Sequence, residues 1–430
     1  MNSSHDSNWR AVLLPGVAMM LGWGLRGFIG GGPFGAMIPG AMVALCICLM
    51  HNRRNSALVA AFGAVGIGIG GEMTYGQTVG FIVKADTFFW GLAGLTLKGA
   101  VWGFLGGAIL AMSFLPRLAM RLVASSGVVM AIACYAGWKL INEPKLIYFS
   151  NRLDRPRPEI WAGFLLAGIA LLLWLHRNRV PQPSLRFAIY GLIGGGIGFG
   201  AGGAIQGIGR IFVASVRGDW WKYMEFTFGF CFGVAMALAA RNLPQEPEEE
   251  SPEARVPLVL EIAVAAGLTA LTFWWEGNLP TRFSFLLIAC ILMCVAHRWT
   301  WAAWQIAITM TVTAFAFDSA KYYSTQFNNG QLSQPAYAIA IAASLVFAVL
   351  FTLRAKNTRA AFIWLLWSSV GVASLKFAMH PSGISGVWSQ VNILFLLMAV
   401  ACAWMLGIPW SKDRGISHPS HVPLHPTSTP

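Results

Sequence analysis

The sequence predicts an all-α fold, a polytopic transmembrane helix bundle. Hydrophobic residues make up 56% of the 430-residue chain and charged residues only 11%, whereas soluble domains carry roughly 25% charged residues. Apolar stretches of about 17 to 25 residues, the length that crosses the hydrocarbon of a bilayer, recur along the whole chain. No segment between them is long enough to form a soluble domain of useful size.

Charged and proline-rich breaks divide the apolar sequence into about fourteen segments, with twelve as the lower bound. They cover residues 11–25, 33–50, 56–83, 88–115, 122–142, 160–176, 185–213, 220–240, 256–275, 283–297, 299–317, 336–353, 360–379 and 388–408. The first two segments have an alternative interpretation as one broken or re-entrant element. Arg26 and the glycines of GLRGFIGGGPFG interrupt them, and such glycine clusters break helices.

These segments group into two membrane parts. Residues 11–243 form an eight-segment, glycine-rich part after a short cytoplasmic N-terminus at 1–10, and residues 256–408 form a six-segment part. The linker between them, at 244–255, is acidic and proline-rich and is too polar to fold alone. Residues 409–430 are rich in proline, serine and histidine and are predicted to be a disordered tail.

The net charge of +13 would by itself suggest nucleic acid as a partner, but the placement of the basic residues points to a membrane surface and argues against nucleic acid. Lys and Arg lie in short clusters at the ends of apolar runs, where they determine topology and contact anionic lipid headgroups. If the N-terminus is cytoplasmic, nearly all of these clusters fall inside. The loop at 143–159 is the exception, since it carries four basic residues outside. We therefore predict an inner or plasma membrane protein with both termini cytoplasmic.

All seven cysteines lie within apolar runs, where a reduced thiol packs as a small hydrophobic group. Cys290 and Cys294 share a helix face, but no adjacent histidine or carboxylate completes a metal site. The sequence predicts no disulfide, no metal and no cofactor. It carries no indication of oligomeric state.

Two stretches place polar residues among glycines inside apolar runs: GIGGEMTYGQTVG at 68–80 and GFGAGGAIQGIG at 198–209. When Gln77 is aligned with Gln206, the hairpins that follow come into near register. The alignment predicts a parallel 4+4 helix repeat, residues 11–115 against 122–240. It rests on few identities and on glycine-rich composition.

The aligned hairpins also suggest two intramembrane ion pairs. Counting about 1.5 Å per helical residue from the outer turn puts Glu72 and Lys98 within one turn of the same depth. Arg210 and Glu225 form the matching pair in the second hairpin, nearer the outer surface. The alternative is structural: buried pairs can fix helix register, and glycines at four-residue spacing let helices pack closely.

We expect a multi-pass transporter of a small polar or charged solute, with proton coupling through Glu72 as one option. Glycine clusters can unwind a transmembrane helix, and the freed backbone groups are tolerated where they line protein or a wet cavity. The predicted partners are the lipid bilayer and an unknown small solute. The predicted site residues are Glu72, Tyr75, Gln77, Lys98, Gln206, Arg210 and Glu225. Glu72→Gln or Lys98→Ala should then abolish transport in a folded protein.

Two other functions stay open. An integral-membrane transferase acting on a lipid-linked substrate would need acids at an outer vestibule, for which Asp154, Glu159 and Glu276 are candidates. The chain offers no DxD pair and no Ser/His/Asp set, so the sequence favours a non-enzymatic function. A non-transporting membrane scaffold would instead fill the glycine-rich faces with tight helix packing.

Overall fold

The computed structural model is all-helical throughout the residues that it describes. These are residues 9–28, 31–53, 55–151, 157–180, 183–213, 218–244, 257–278, 284–327, 334–354, 357–378 and 387–407. The all-helical class is therefore confirmed. Three predicted stretches lie wholly or mostly outside this part of the chain: residues 1–8 of the predicted N-terminus, all but the first residue of the predicted linker, and the predicted tail.

Fifteen α-helices follow one another along the described residues. They are α1 (Arg10–Phe28), α2 (Gly32–His51), α3 (Ser56–Ile69), α4 (Gly76–Ile82), α5 (Phe88–Met112), α6 (Met120–Gly137), α7 (Trp161–Arg177), α8 (Pro183–Ile211), α9 (Trp220–Ala240), α10 (Leu258–Asn278), α11 (Ser284–Arg298), α12 (Thr300–Phe327), α13 (Gln334–Arg354), α14 (Thr358–Ala378) and α15 (Val387–Gly407). One turn of 3₁₀-helix, Gly70–Glu72, follows α3, and a π-helical turn, Trp138–Asn142, extends α6.

Within the described residues, nine helices are long and apolar enough to cross a membrane. The count rises to ten if α3 and α4, bent by 63°, are taken as one broken span. Such a set of long apolar helices fits a membrane-embedded protein. Each predicted segment coincides with a helix or, for 56–83, with this bent pair. Fourteen crossings, the 4+4 repeat and the orientation of the termini stay predictions.

The first two segments form two antiparallel helices, α1 and α2. Gly22 of α1 faces Pro39 of α2, and Gly35 of α2 lies against the side chain of Arg26. Gly31 and Gly32 begin α2 with φ of +59° and +66°, a backbone conformation that glycine adopts without strain. α2 is buried along nearly its whole length and occupies the centre of the bundle.

Helices α5 and α8 touch backbone to backbone through glycines. A Cβ built on Gly103 would lie 1.9 Å from the carbonyl oxygen of Gly191, and one built on Gly99 would lie 2.3 Å from that of Gly195. α9 then packs on α8 and on α1, and α12 packs on α2 and α3. The space beside the glycines at the centre of α8 is therefore occupied by the backbone of α5, as in close helix pairs of other membrane proteins.

Gly191→Ala is expected to destabilise the protein because its methyl group has no room against α5. Overpacking of this kind typically costs about 1 to 3 kcal/mol, so the melting temperature in detergent should fall. Gly267→Ala on α10 is the matched control, since a Cβ there meets no atom within 4 Å. Equal melting temperatures for the two variants would contradict the close contact of α5 and α8.

Candidate functional site

The third predicted segment is interrupted by a break between α3 and α4, which are bent by 63°. α3 gives way to the single 3₁₀ turn at Gly70–Glu72, and α4 begins only at Gly76. Two glycines let the backbone at the break pack closely against the neighbouring helices. A Cβ on Gly70 would lie 2.2 Å from the indole of Trp102, and one on Gly71 would lie 2.3 Å from the carbonyl oxygen of Gly32. The helix therefore ends against α2 and α5.

Lys98 and Glu159 form an ion pair beside this break. We call the Lys98 cluster these two residues together with Thr74, Thr78, Phe149 and Ser150, which bond them. Lys98 Nζ lies 2.7 Å from Glu159 Oε1, and both side chains are at most 1% exposed. The ammonium also donates to the carbonyl oxygen of Thr74 at 2.6 Å and to Thr78 Oγ1 at 2.8 Å. All three N–H bonds of the ammonium are therefore used.

The loop before α7 completes the Lys98 cluster from the other side. Glu159 accepts hydrogen bonds from the backbone N–H of Phe149 and from Ser150 Oγ, both at 3.1 Å. Thr78 Oγ1 in turn donates to the carbonyl oxygen of Phe149 at 3.0 Å. The carboxylate and the ammonium are thus both saturated, which is the condition under which a buried ion pair is tolerated.

A second network, the Arg26 cluster, consists of Arg26, Tyr75, Trp221, Lys222 and Glu225. Arg26 Nη1 donates to the Tyr75 hydroxyl at 2.7 Å, and this hydroxyl donates in turn to Glu225 Oε1 over a longer 3.5 Å. Glu225 also accepts from Trp221 Nε1 at 2.8 Å and from Lys222 Nζ at 2.6 Å. The tyrosine at the break therefore lies between a guanidinium and a carboxylate.

Aromatic rings surround Arg26. Its guanidinium carbon lies 4.9 Å from the centre of the Trp102 ring, 5.3 Å from that of Tyr75 and 5.6 Å from that of Trp23. Trp102 is itself fixed, because its Nε1 donates to the carbonyl oxygen of Ile67 at 2.7 Å. Arg26 is 2% exposed, so the cation lies in an apolar, low-dielectric environment.

Glu72 points away from both clusters and joins the two halves of the chain. Its Oε1 accepts a hydrogen bond from the backbone N–H of Phe285 at 2.8 Å, in the first turn of α11. A carboxylate at this position satisfies a free helix N–H and interacts favourably with the helix dipole. Glu72 therefore acts as a cap for a helix of the C-terminal half.

The predicted Glu72–Lys98 pair is wrong, because Lys98 pairs with Glu159. The depth estimate assumed that α3 runs straight through residue 72, but the chain leaves the helix there. Lys98 does lie level with the break, since it bonds the carbonyl of Thr74. The Glu72 side chain turns instead towards α11.

The predicted Arg210–Glu225 pair is also wrong. Arg210 is exposed on α8, whereas Glu225 is fully buried and pairs with Lys222 one turn away on α9. The two polar residues used for the alignment differ as well. Gln77 Oε1 accepts from the backbone N–H of Asn151 at 3.3 Å near the surface. Gln206 is buried at 2% exposure, and no described residue bonds its Oε1.

Sequence reasoning missed several residues of these clusters, among them Glu159, Arg26, Lys222 and Trp221. Glu159 appeared only as an outer-loop acid, and Arg26 only as a break between segments. Lys222 could have been found, because it precedes Glu225 by three residues on one helix face. Trp221 was visible only as an interfacial aromatic residue.

The structure describes the side chain of only one of the three acids named for an outer enzymatic site. Glu159 is buried in its ion pair, while the Asp154 residue and the Glu276 side chain lie outside what the structure describes. Among the described residues, no group of three or more His, Cys, Asp or Glu side chains could hold a metal. Comparison with protein-family models, curated proteins and solved structures finds no match.

Proposed function

We propose that the protein is a multi-pass membrane transporter of a small polar or charged solute, with its site at the break between α3 and α4. One observation carries the proposal. The hydroxyl of Tyr75, a residue of the break itself, bonds both Arg26 and Glu225 inside the bundle. Discontinuous helices with converging polar groups form the binding sites of many secondary transporters.

The two clusters receive different roles in this proposal. The Lys98 cluster is saturated by its own hydrogen bonds and holds the loop before α7 against α4 and α5. The Arg26 cluster is less complete, since Arg26 Nε has no described acceptor, and it includes Tyr75 and Trp221, two residues that are partly exposed. Ionisable groups within membrane segments are costly to bury and usually mark a pathway, so we place the pathway at the Arg26 cluster.

Proton coupling belongs to the proposal, with Glu225 rather than Glu72 as the exchanging group. A carboxylate that accepts a hydrogen bond from a tyrosine hydroxyl can exchange a proton along that bond. Glu225 has this arrangement. Glu72, by contrast, is engaged in capping α11.

Tyr75→Phe and Glu225→Gln are expected to reduce solute flux into proteoliposomes at least about tenfold, because Phe lacks the hydroxyl that links Arg26 to Glu225 and Gln cannot carry the exchanged proton. Flux of a panel of small carboxylates, amino acids and sugars would be measured with and without a pH gradient. Tyr135→Phe is the matched control, since Tyr135 lies 52% exposed on α6. Wild-type flux in both cluster variants would exclude the proposed site, and proton coupling would be excluded if the gradient had no effect.

A non-transporting membrane scaffold is the second candidate, and the glycine contacts favour it. Gly99, Gly103, Gly191 and Gly195 bring α5 and α8 to backbone distance, which makes this helix pair a rigid element. The same proteoliposome panel separates the two functions. A scaffold moves no solute above the leak of empty liposomes, even when the protein is folded and correctly inserted.

A further inference from the structure

Arg26 differs from the other buried charges that the structure describes. Five Lys, Arg and Glu side chains are buried in this part of the chain: Arg26, Lys98, Glu159, Lys222 and Glu225. Four of them form two direct ion pairs. Arg26 contacts no described carboxylate and has one hydrogen bond, to a neutral tyrosine hydroxyl.

The guanidinium has unused hydrogen-bonding capacity on a defined edge. Nη1 is bonded to Tyr75, whereas Nε is buried and no described residue accepts from it. Buried polar groups are nearly always satisfied, and an exception calls for an explanation. The nearby rings of Trp23, Tyr75 and Trp102 attract the cation through their π faces, but they accept no conventional hydrogen bond from Nε.

Glu225 does not supply the missing acceptor. The Tyr75 hydroxyl lies between it and Arg26, and its two oxygens are already bonded by Trp221 and Lys222. The Nε side of a guanidinium presents two parallel N–H bonds, a fork that matches the two oxygens of a carboxylate. One unpaired monovalent cation among aromatic rings suits a monoanion with an apolar body better than a multivalent oxyanion that needs many donors.

We propose that Arg26 binds a small carboxylate anion through its Nε edge, beside the rings of Trp23 and Trp102. This inference names the substrate class of the transporter proposed above and rests on that function. Arg26 is almost fully enclosed, so the anion reaches it when the bundle opens, as alternating access requires. Tyr75 as a whole residue is partly exposed, so the cluster lies close to accessible surface at the break.

The binding test uses purified protein in lipid nanodiscs, with radiolabelled acetate and benzoate as probes and benzamide as the neutral counterpart of benzoate. Wild-type protein should bind at least one carboxylate saturably and should not bind benzamide. Arg26→Gln should weaken this binding at least about tenfold, and Arg241→Gln, at an exposed arginine that follows α9, should leave it unchanged. Equal affinities in wild type and Arg26→Gln, or no saturable carboxylate binding at all, would overturn the inference.

Two measurements guard against a variant that fails to fold. In the wild type alone, the bound carboxylate should raise the melting temperature above that in benzamide at equal ionic strength, because a ligand stabilises the state that it binds. Arg26→Lys keeps the charge but loses the fork, so it should also bind more weakly than the wild type. A melting temperature that does not respond to carboxylate counts against the inference.

Flux measurements on the same preparations separate the inference from the function on which it rests. Saturable, Arg26-dependent carboxylate binding without flux of any solute would support the binding site and exclude transport. Flux of another solute with no carboxylate binding would support transport and exclude the carboxylate.

Discussion

Replacing Lys98 with methionine is expected to lower the free energy of unfolding by about 3 to 5 kcal/mol, the usual cost of removing one partner of a buried ion pair. Glu159 would be left as a buried carboxylate with no cation, bonded only by Phe149 N–H and Ser150 Oγ. The carbonyl oxygen of Thr74 would also lose the hydrogen bond that it accepts from the ammonium. Reversible unfolding in mixed micelles, followed by circular dichroism, would measure the change.

The Lys98 experiment has an internal control and a rescue. Lys139 and Glu143 form an exposed i,i+4 pair at the end of α6, with 54% and 38% of their side chains exposed, so Lys139→Met should change stability little. Adding Glu159→Gln to Lys98→Met removes the unpaired charge and should restore part of the loss. If Lys98→Met lowers the free energy of unfolding no more than Lys139→Met does, the Lys98 cluster contributes little to stability.

This expectation also revises the transport test suggested by the sequence. Lys98→Ala was expected to abolish transport in a folded protein, on the assumption that Lys98 lines a pathway. In the structure the ammonium is saturated by Glu159, Thr74 and Thr78. A loss of transport in that variant would therefore reflect loss of folding, and only the variants of the Arg26 cluster report on the pathway.

Sequence alone predicted the helices better than it predicted their contacts. Apolar length and charged breaks depend on local composition, so the predicted segments agree with helix bounds such as those of α9 and α11. The break within residues 68–80 was also predictable, since glycine clusters can unwind a transmembrane helix. The partners were not visible, because Glu159 reaches Lys98 only after the loop before α7 folds back over α4.

Arg26 is a second residue whose contacts the sequence did not reveal. In sequence it is one basic residue between glycines, a pattern equally typical of a turn at a membrane surface. Its burial depends on the α1–α2 hairpin, on Trp102 from α5 and on Tyr75 from the break, which are 49 to 76 residues away in the chain. Long-range contacts of this kind leave no local signal in a single sequence.

Glu225→Leu is expected to lower the free energy of unfolding by about 3 to 5 kcal/mol, because Lys222 would lose its carboxylate inside the bundle. Lys222 also donates to the carbonyl oxygen of Gly24 at 3.2 Å, so the loss should loosen the contact between α9 and the end of α1. Glu225→Gln should cost less, since its amide oxygen still accepts a hydrogen bond from Trp221. Unfolding free energies of the two variants test this order, and an equal loss in both would contradict it.

The break should couple the two clusters energetically. Thr74 bonds Lys98 through its carbonyl, and the next residue, Tyr75, bonds Arg26 and Glu225 through its hydroxyl. A shift of one peptide therefore alters both networks, whereas distant independent sites are additive within about 0.5 kcal/mol. A double-mutant cycle between Lys98→Met and Glu225→Gln should show a larger interaction energy than a cycle between Lys139→Met and Glu225→Gln. Strict additivity in the first cycle would mean that the break does not transmit changes between the clusters.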